Sequence, residues 1–388
     1  MDTSYSLYLH IPFCRHRCAY CDFNTYAGLE ALIPAYAQAL CREMAFLRQA
    51  AGERPPIHTL FLGGGTPSLL PITALETILQ AAHTHFSWHA PLEITLEANP
   101  GTLDRDYLRA AYAVGVNRLS LGMQSAQPEE LRFLERQHDF GDVIQAVEWA
   151  RRAGFENLSL DLIYGLPEQS LARWEQSLSR ALDLQPEHIS LYALTLEHGT
   201  PLSHWVDRGL VPLPDADRAA EMYELACERL DKAGFEQYEI SNWARPGHAC
   251  RHNLQYWRNL PYLGLGAGAH GFAAGYRTVA VRASTAYIER LQNAGAPSVF
   301  PRTPATAEAI PVDRATEMSE TLIMGLRLTQ EGVSLQRFEQ RFGQRLEEHY
   351  SAPIRRLRRA GLLEWHAEAL RLTPRGRLLG NRVFMEFV

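Results

Sequence analysis

Through the first two-thirds of the chain, short apolar runs alternate with longer stretches in which apolar side chains recur at helical spacing. The runs at 6–11, 59–62, 92–96, 118–121, 159–163 and 189–194 predict strands. The stretches at 33–49, 72–83, 105–113, 143–153, 171–184 and 217–233 predict helices. Gly154 and Gly234 follow two of these helices and suit left-handed C-caps before the next strand. Strands and helices that alternate in this way predict a parallel sheet. Six units are too few to close an eight-stranded barrel, so the expected fold is α/β, a partial (β/α)6 barrel open on one side.

Polar residues mark the ends of the predicted strands. The first leads to a cysteine-rich loop and the second to Gly63-Gly64-Gly65-Thr66. The third ends at Glu97 and Asn99, and the fourth at Gln124. The fifth carries Asp161, and the sixth leads to Thr195 and Glu197. The carboxyl end of the strands is where barrel sites are built, so these groups are expected to converge.

The last third reads differently. A strand is expected at 237–240, then an aromatic-rich segment at 250–257 and a glycine-rich one at 264–271. Proline and alanine at 296–311 predict a linker. Helical patterns at 315–326, 335–342 and 350–360 precede a hairpin at 362–365 and 370–373, which predicts a small winged-helix-like unit. The expected organisation is a barrel over 1–295, a linker over 296–311 and a C-terminal domain over 312–388.

Composition narrows the classes. A net charge of −6 argues against a general nucleic-acid binder, which needs a basic footprint. Arg355, Arg356, Arg358 and Arg359 form the one basic run, expected to be a solvated helix face. No basic leader precedes the first apolar run, and no stretch is long and apolar enough to span a bilayer, so a cytoplasmic location is expected. Six cysteines in 388 residues are too few for a disulfide scaffold and fit a reducing compartment. Cys41 and Cys227 fall in helical patterns and are expected in the core.

The remaining cysteines carry the chemistry. Cys14, Cys18 and Cys21 have the spacing Cys-x3-Cys-x2-Cys with no fourth cysteine nearby. Three thiolates can hold three corners of a cubane iron–sulfur cluster and leave the fourth iron open. A tetrahedral zinc would need a fourth ligand, which His10 or His16 could supply. Arg15, His16 and Arg17 between the first two cysteines do not suit a core of buried thiols. The triglycine turn lacks the Lys-Ser/Thr ending of a phosphate-binding loop, but its backbone amides could cradle a small polar ligand.

The segment Tyr8-Leu-His10-Ile-Pro-Phe-Cys14-x3-Cys18-x-Tyr20-Cys21, followed by Gly63-Gly64-Gly65-Thr66-Pro67, resembles the radical S-adenosylmethionine (SAM) superfamily. It is most similar to the branch that holds oxygen-independent coproporphyrinogen III dehydrogenases and haem chaperones, and the likeness covers essentially the whole chain. The resemblance implies a [4Fe-4S] cluster on Cys14, Cys18 and Cys21, with SAM chelated to the open iron. By motif, Tyr8, Gly64, Gly65, Thr66, Glu97, Gln124, Arg136 and Asp161 would bind SAM, with the 266–269 loop nearby.

Within the branch, the dehydrogenase pattern places a fourth cysteine where Phe23 stands here, and those enzymes carry a longer segment before the cysteines. Both departures point away from decarboxylation of a porphyrinogen. His252-Asn253-Leu-Gln-Tyr256-Trp257 instead matches a motif of the chaperones. The implied function is to bind haem and pass it to an acceptor apo-haemoprotein, with a respiratory acceptor reached peripherally at the membrane as the expectation, and with His252 as the expected haem contact. Cys250 is a second candidate ligand or a buried thiol, and no Cys-x-x-Cys-His motif indicates covalent attachment.

Overall fold

The computed structural model describes residues 4–295 and 298–388. All six predicted strands are present: β1 Tyr5–Ile11, β2 Pro56–Gly64, β3 Ser87–Ala98, β4 Arg118–Gln124, β5 Leu158–Tyr164 and β6 His188–Ala193. They lie side by side in chain order and each is parallel to the next. The helices between them include α1 Ile33–Ala51, α2 Ile72–His85, α3 Arg105–Ala113, α4 Phe140–Ala153 and α5 Leu171–Asp183, with α6 Ala216–Lys232 after β6. Gly154 closes α4 in the left-handed conformation, as its position in the sequence predicts.

The strands alternate with period two rather than reading as apolar throughout. Leu7, Leu9 and Ile11, Leu60 and Leu62, Leu119 and Leu121, and Leu158, Leu160 and Leu162 all join one core with the helices. Between them stand Ser6, Thr59, Glu93, Thr95, Arg118, Ser120, Ser159, His188 and Ser190, which are buried but polar. Parallel strands packed against helices on both faces are apolar on both faces. Here only one face meets helices, and the other lines the inside of a partial barrel.

The sheet extends further than the sequence pattern predicts. On one side β9 Tyr262–Leu265 pairs parallel with β1, and β10 His270–Ala273, β11 Tyr276–Ala280 and β12 Thr306–Pro311 follow antiparallel. On the other, β8 Asn242–Ala244 and β7 Glu236–Glu239 add to β6. The result is a twelve-stranded sheet. The linker expected at 296–311 is therefore corrected in part. Residues 306–311 form an edge strand, where Pro311 costs no ladder bond that a central strand would need. Ala296 and Pro297 lie outside the described residues.

The C-terminal unit matches the predicted order of helices followed by a hairpin. Helices at Arg314–Gly325, Leu335–Phe342 and Ser351–Arg359 precede strands Leu363–His366 and Ala369–Leu372. Val333–Ser334 adds a third short strand. Met318, Leu322, Phe338, Ile354, Leu357 and Leu370 form a separate core. Of the basic run, Arg356 pairs with Glu386 and Arg358 lies over the Trp365 ring, while Ile354 and Leu357 turn inward.

Candidate functional site

The cysteine loop leaves β1 and is pinned at its base. Phe13–Cys14 pairs with Tyr26–Ala27, and Cys18 accepts a turn hydrogen bond from the amide of Cys21. All three thiols are free, and each has one hydrogen-bonding neighbour. The Thr66 hydroxyl donates to Cys14 at 3.5 Å, and Arg136 Nη1 donates to Cys18 at 3.5 Å. Cys21 lies 3.6 Å from the Thr25 hydroxyl. Burial pushes the Cys14 thiol above its usual range and Thr66 pulls it back. A bound metal would reverse that balance by deprotonating the sulfur outright. Among the described residues no three His, Cys, Asp or Glu side chains gather as the shell of a single ion. Thiols at separate corners of a cubane need no such gathering.

The cysteines face a cavity of about 470 Å³ at the carboxyl ends of the strands. Every one of β1 to β6, or the loop after it, contributes to its wall: Cys14, Gly64, Glu97, Gln124, Asp161 and Glu197 are examples. Thr66, Gly65 and Arg136 line it as well. Tyr8 does not. Its hydroxyl is 2.9 Å from His10 Nδ1, and its ring borders a second cavity.

The triglycine turn works differently from the cradle expected of it. The Gly65 amide donates to Ile11 O at 2.9 Å and the Thr66 amide to Phe13 O at 2.8 Å. The Gly64 amide donates to Glu97 Oε2 at 3.0 Å. These donors are taken by protein acceptors, so the turn stitches β2 to the cysteine loop. Side chains are excluded for the same reason. A Cβ on Gly65 would stand 2.7 Å from Phe13 O, and Gly64, at φ +113°, would meet His10 at 2.5 Å.

The carboxylates are tuned by their surroundings. Desolvation first, and then Asp161, push Glu97 up to about 7, against the pull of the Gly64 amide. Asp161 is also raised by burial, while hydroxyls oppose it. Ser120 donates to both carboxylate oxygens at 2.9 and 3.1 Å, and Ser159 donates at 3.1 Å. Sequence reasoning passes over these serines; their alternation with leucine along β4 and β5 is the signal that places them. Gln124 takes a positive φ of 64° where the β4–β5 register slips, which turns it toward the cavity. Such a conformation in a non-glycine residue is uncommon and collects at functional sites.

Arg136 follows the short helix Pro128–Phe133 and faces the cavity. A surface helix position would leave it solvated; here Nη2 donates to Gly122 O at 2.9 Å and Nε is buried without a partner. Asn99, which lines the same cavity, has its Oδ1 likewise buried and unpartnered. An unpaired donor and acceptor around one cavity fit a ligand with both functions, such as an amino acid moiety. The residues present thus suit a cluster and SAM. The 266–269 loop lies elsewhere: Gly268 and Ala269 border the second cavity, and Asn24 ties Ala267 O to the cysteine segment.

His252 departs from the expected haem contact. It is 1% exposed on the short helix α7 Arg251–Trp257. Its Nδ1 is 2.8 Å from the Thr59 hydroxyl and its Nε2 2.8 Å from the Tyr256 hydroxyl. Burial pushes the ring down to about 3, so it stays neutral. Neither nitrogen is open to an iron. The motif has a spatial logic nonetheless, because residues four apart share a helix face and His252 holds Tyr256 in place. Glu93 anchors the helix by accepting the amides of Arg251 and His252, each at 3.0 Å. Cys250, fully buried, points its thiol at the same carboxylate at 3.6 Å and is no open ligand either.

Comparison with known proteins agrees with this geometry. The sequence profile of the radical SAM superfamily matches residues 8–181, and that of the HemN C-terminal domain matches 312–379. The chain is 39% identical to the heme chaperone HemW of Bacillus subtilis (strain 168) over 99% of both chains. It is 42% identical to the heme chaperone HemW of Escherichia coli (strain K12) over 69% of both. It is also 39% identical to the radical S-adenosyl methionine domain-containing protein 1, mitochondrial, of Bos taurus, over 86% of this chain and 75% of that one. The solved structure of coproporphyrinogen III oxidase (HemN) from Escherichia coli superposes with a TM-score of 0.82 at 22% identity, covering 100% of this chain and 90% of that one. That likeness establishes the shared fold, a partial barrel followed by a small C-terminal domain. Full-length identity at this level places the chain in the HemW family of radical SAM proteins.

Proposed function

We propose that this protein binds haem and hands it to acceptor haemoproteins. In this reading Cys14, Cys18 and Cys21 hold a [4Fe-4S] cluster, and Gly64, Thr66, Glu97, Gln124, Arg136 and Asp161 surround SAM. The observation that carries the reading is Phe23. It stands where the porphyrinogen dehydrogenase pattern has a fourth cysteine, and the residue is 62% exposed while lining the cluster cavity. An exposed aromatic there offers a surface to a flat apolar ligand rather than a sulfur for catalysis. The relatives named as haem chaperones support the same conclusion.

When bound, a reduced cluster with SAM supplies one-electron chemistry. The residues of this chain have simpler tasks. Thr66 and Arg136 donate hydrogen bonds to Cys14 and Cys18, and the Thr25 hydroxyl lies against Cys21, so each sulfur is oriented by a neighbour. Arg136 adds a positive charge beside Cys18, and Glu97 and Asp161 offer acceptors to ammonium or ribose hydroxyls. Delivery in the cytoplasm, to acceptors that include membrane-bound respiratory proteins, completes the proposal. Among the described residues no helix is long and apolar enough to cross a membrane, so such contact would be peripheral.

The test is direct. The protein is reconstituted anaerobically with its cluster, titrated with haem, and mixed with an apo-haemoprotein, with coproporphyrinogen conversion assayed in parallel. We expect a Soret band that moves to the acceptor and no protoporphyrinogen. Robust decarboxylation without haem transfer would overturn the proposal.

A further inference from the structure

Beside the cluster cavity lies a second, larger one of about 690 Å³, within the size range of small-molecule sites. The two share Arg17, Asp22, Phe23 and Thr25, so the cysteine segment forms a common wall. Tyr256 and Trp257 of the α7 motif line the second cavity, as does Tyr262 at the start of β9. The C-terminal unit contributes Met324. The aromatic side chains offer flat apolar surface to a porphyrin macrocycle, and Arg17, Arg277 and Arg282, which also line the cavity, suit its carboxylates.

The histidines near this cavity differ in their availability. His10 is buried, with Nδ1 held by Tyr8 and Nε2 2.9 Å from Asn24 O. His252, behind Tyr256, has both nitrogens occupied. His270 opens β10, is exposed, and lines the cavity. Among the described residues no group hydrogen-bonds either of its ring nitrogens. The cations differ in the same way. Arg277 is committed to Glu320 through two hydrogen bonds of 2.6 and 3.1 Å. Arg282, also lining the cavity, is exposed, and among the described residues its guanidinium has no carboxylate partner.

From this arrangement we infer that the second cavity is the haem site, with His270 as axial ligand, Arg282 on a propionate and Phe23 against the macrocycle. The inference rests on the haem-carrier reading and adds the site. Neutral imidazole with a free lone pair is the common protein ligand to haem iron. Guanidinium is suited to carboxylates, which the propionates are. His252 becomes a positioning residue: it fixes Tyr256, which forms part of the wall.

The experiment uses the full chain with its cluster and ferric haem as the probe, read by Soret titration and by the electron paramagnetic resonance of the haem iron. The wild type should show a histidine-ligated spectrum. His270→Ala should lose that signature and bind at least about tenfold more weakly, with free imidazole restoring the ligation. The side chain is exposed and unbonded, so this variant is expected to fold, which circular dichroism and cluster absorbance verify. His252→Asn should keep the ligation signature even where affinity falls. Arg282→Glu should weaken haem about fivefold and leave haem dimethyl ester unaffected. Wild-type ligation and affinity in His270→Ala would overturn the assignment while leaving the carrier reading intact. No haem uptake by the wild type would remove the carrier reading, and the assignment with it.

Discussion

Glu97 shows how far a single residue is governed by what surrounds it. In the sequence it is a carboxylate at the end of an apolar run; in the fold it shares a wall with Asp161 and titrates near 7. A ligand carrying an ammonium group prefers the charged form. SAM should therefore bind more tightly as pH rises from about 6, by up to about tenfold per unit, and level off above 7. Calorimetry in buffers of different ionisation enthalpy should show proton release on binding, and Glu97→Gln should flatten both effects. The sign of the stability change is opposite. The folded pKa is raised above 4.5, so this group's contribution is full below 4.5 and is lost as pH rises through about 7 in the free protein. Arg136 is a similar case. Its neighbours in sequence suggest a solvated residue, yet the turn after Pro128–Phe133 points it at Cys18.

At the scale of elements, the segments that hold the site are tied by buried polar groups the apolar pattern does not reveal. Glu43 of α1 is 1% exposed and accepts the Gly266 amide at 2.9 Å, Tyr287 at 2.6 Å and Thr303 at 2.7 Å. One carboxylate thus joins α1, the glycine loop beside the second cavity, the helix Ser284–Asn293 and the chain beyond it. Glu43→Ala leaves three buried donors unsatisfied and should cost about 3 kcal/mol, measured by urea unfolding. Glu43→Gln should cost less, because it keeps an acceptor. Sequence reading found the helix and the glycines but not their connection, since a glutamate inside a helix looks the same whether it faces water or core. The same limit applies to β9–β12. Strands of four to six residues, two of them interrupted by glycine, carry too little pattern to be told from loops.

For the molecule as a whole, the C-terminal unit has its own core yet is fastened to the barrel by charges. Arg258 after α7 forms a bidentate pair with Glu331, and Arg341 reaches both Glu317 and Asn259 O. Ile240 packs against the C-terminal core, and the amide of Ile240 donates to Arg327 O. Because Arg258 follows the Tyr256–Trp257 wall directly, this fastening also steadies the second cavity. A double-mutant cycle of Arg258→Met and Glu331→Gln should show coupling of about 1 kcal/mol, reduced at high salt. Hydrogen exchange should quicken at 250–262 in both single variants; unchanged protection there would separate the unit from the cavity.

By itself the sequence determined the six β/α units, the cysteine triplet, the groups at successive strand ends and the helix-hairpin order of the C-terminal unit. These follow from local periodicity and from motif spacing, which a chain carries before it folds. Only the tertiary structure decided which groups remain free to act. It showed the triglycine amides already bonded, His252 closed between Thr59 and Tyr256, and His270 open on the cavity that Phe23 also lines. The physical reason is that a polar group's availability depends on its partners, and such a partner can lie far along the chain, as Thr59 lies 193 residues from His252.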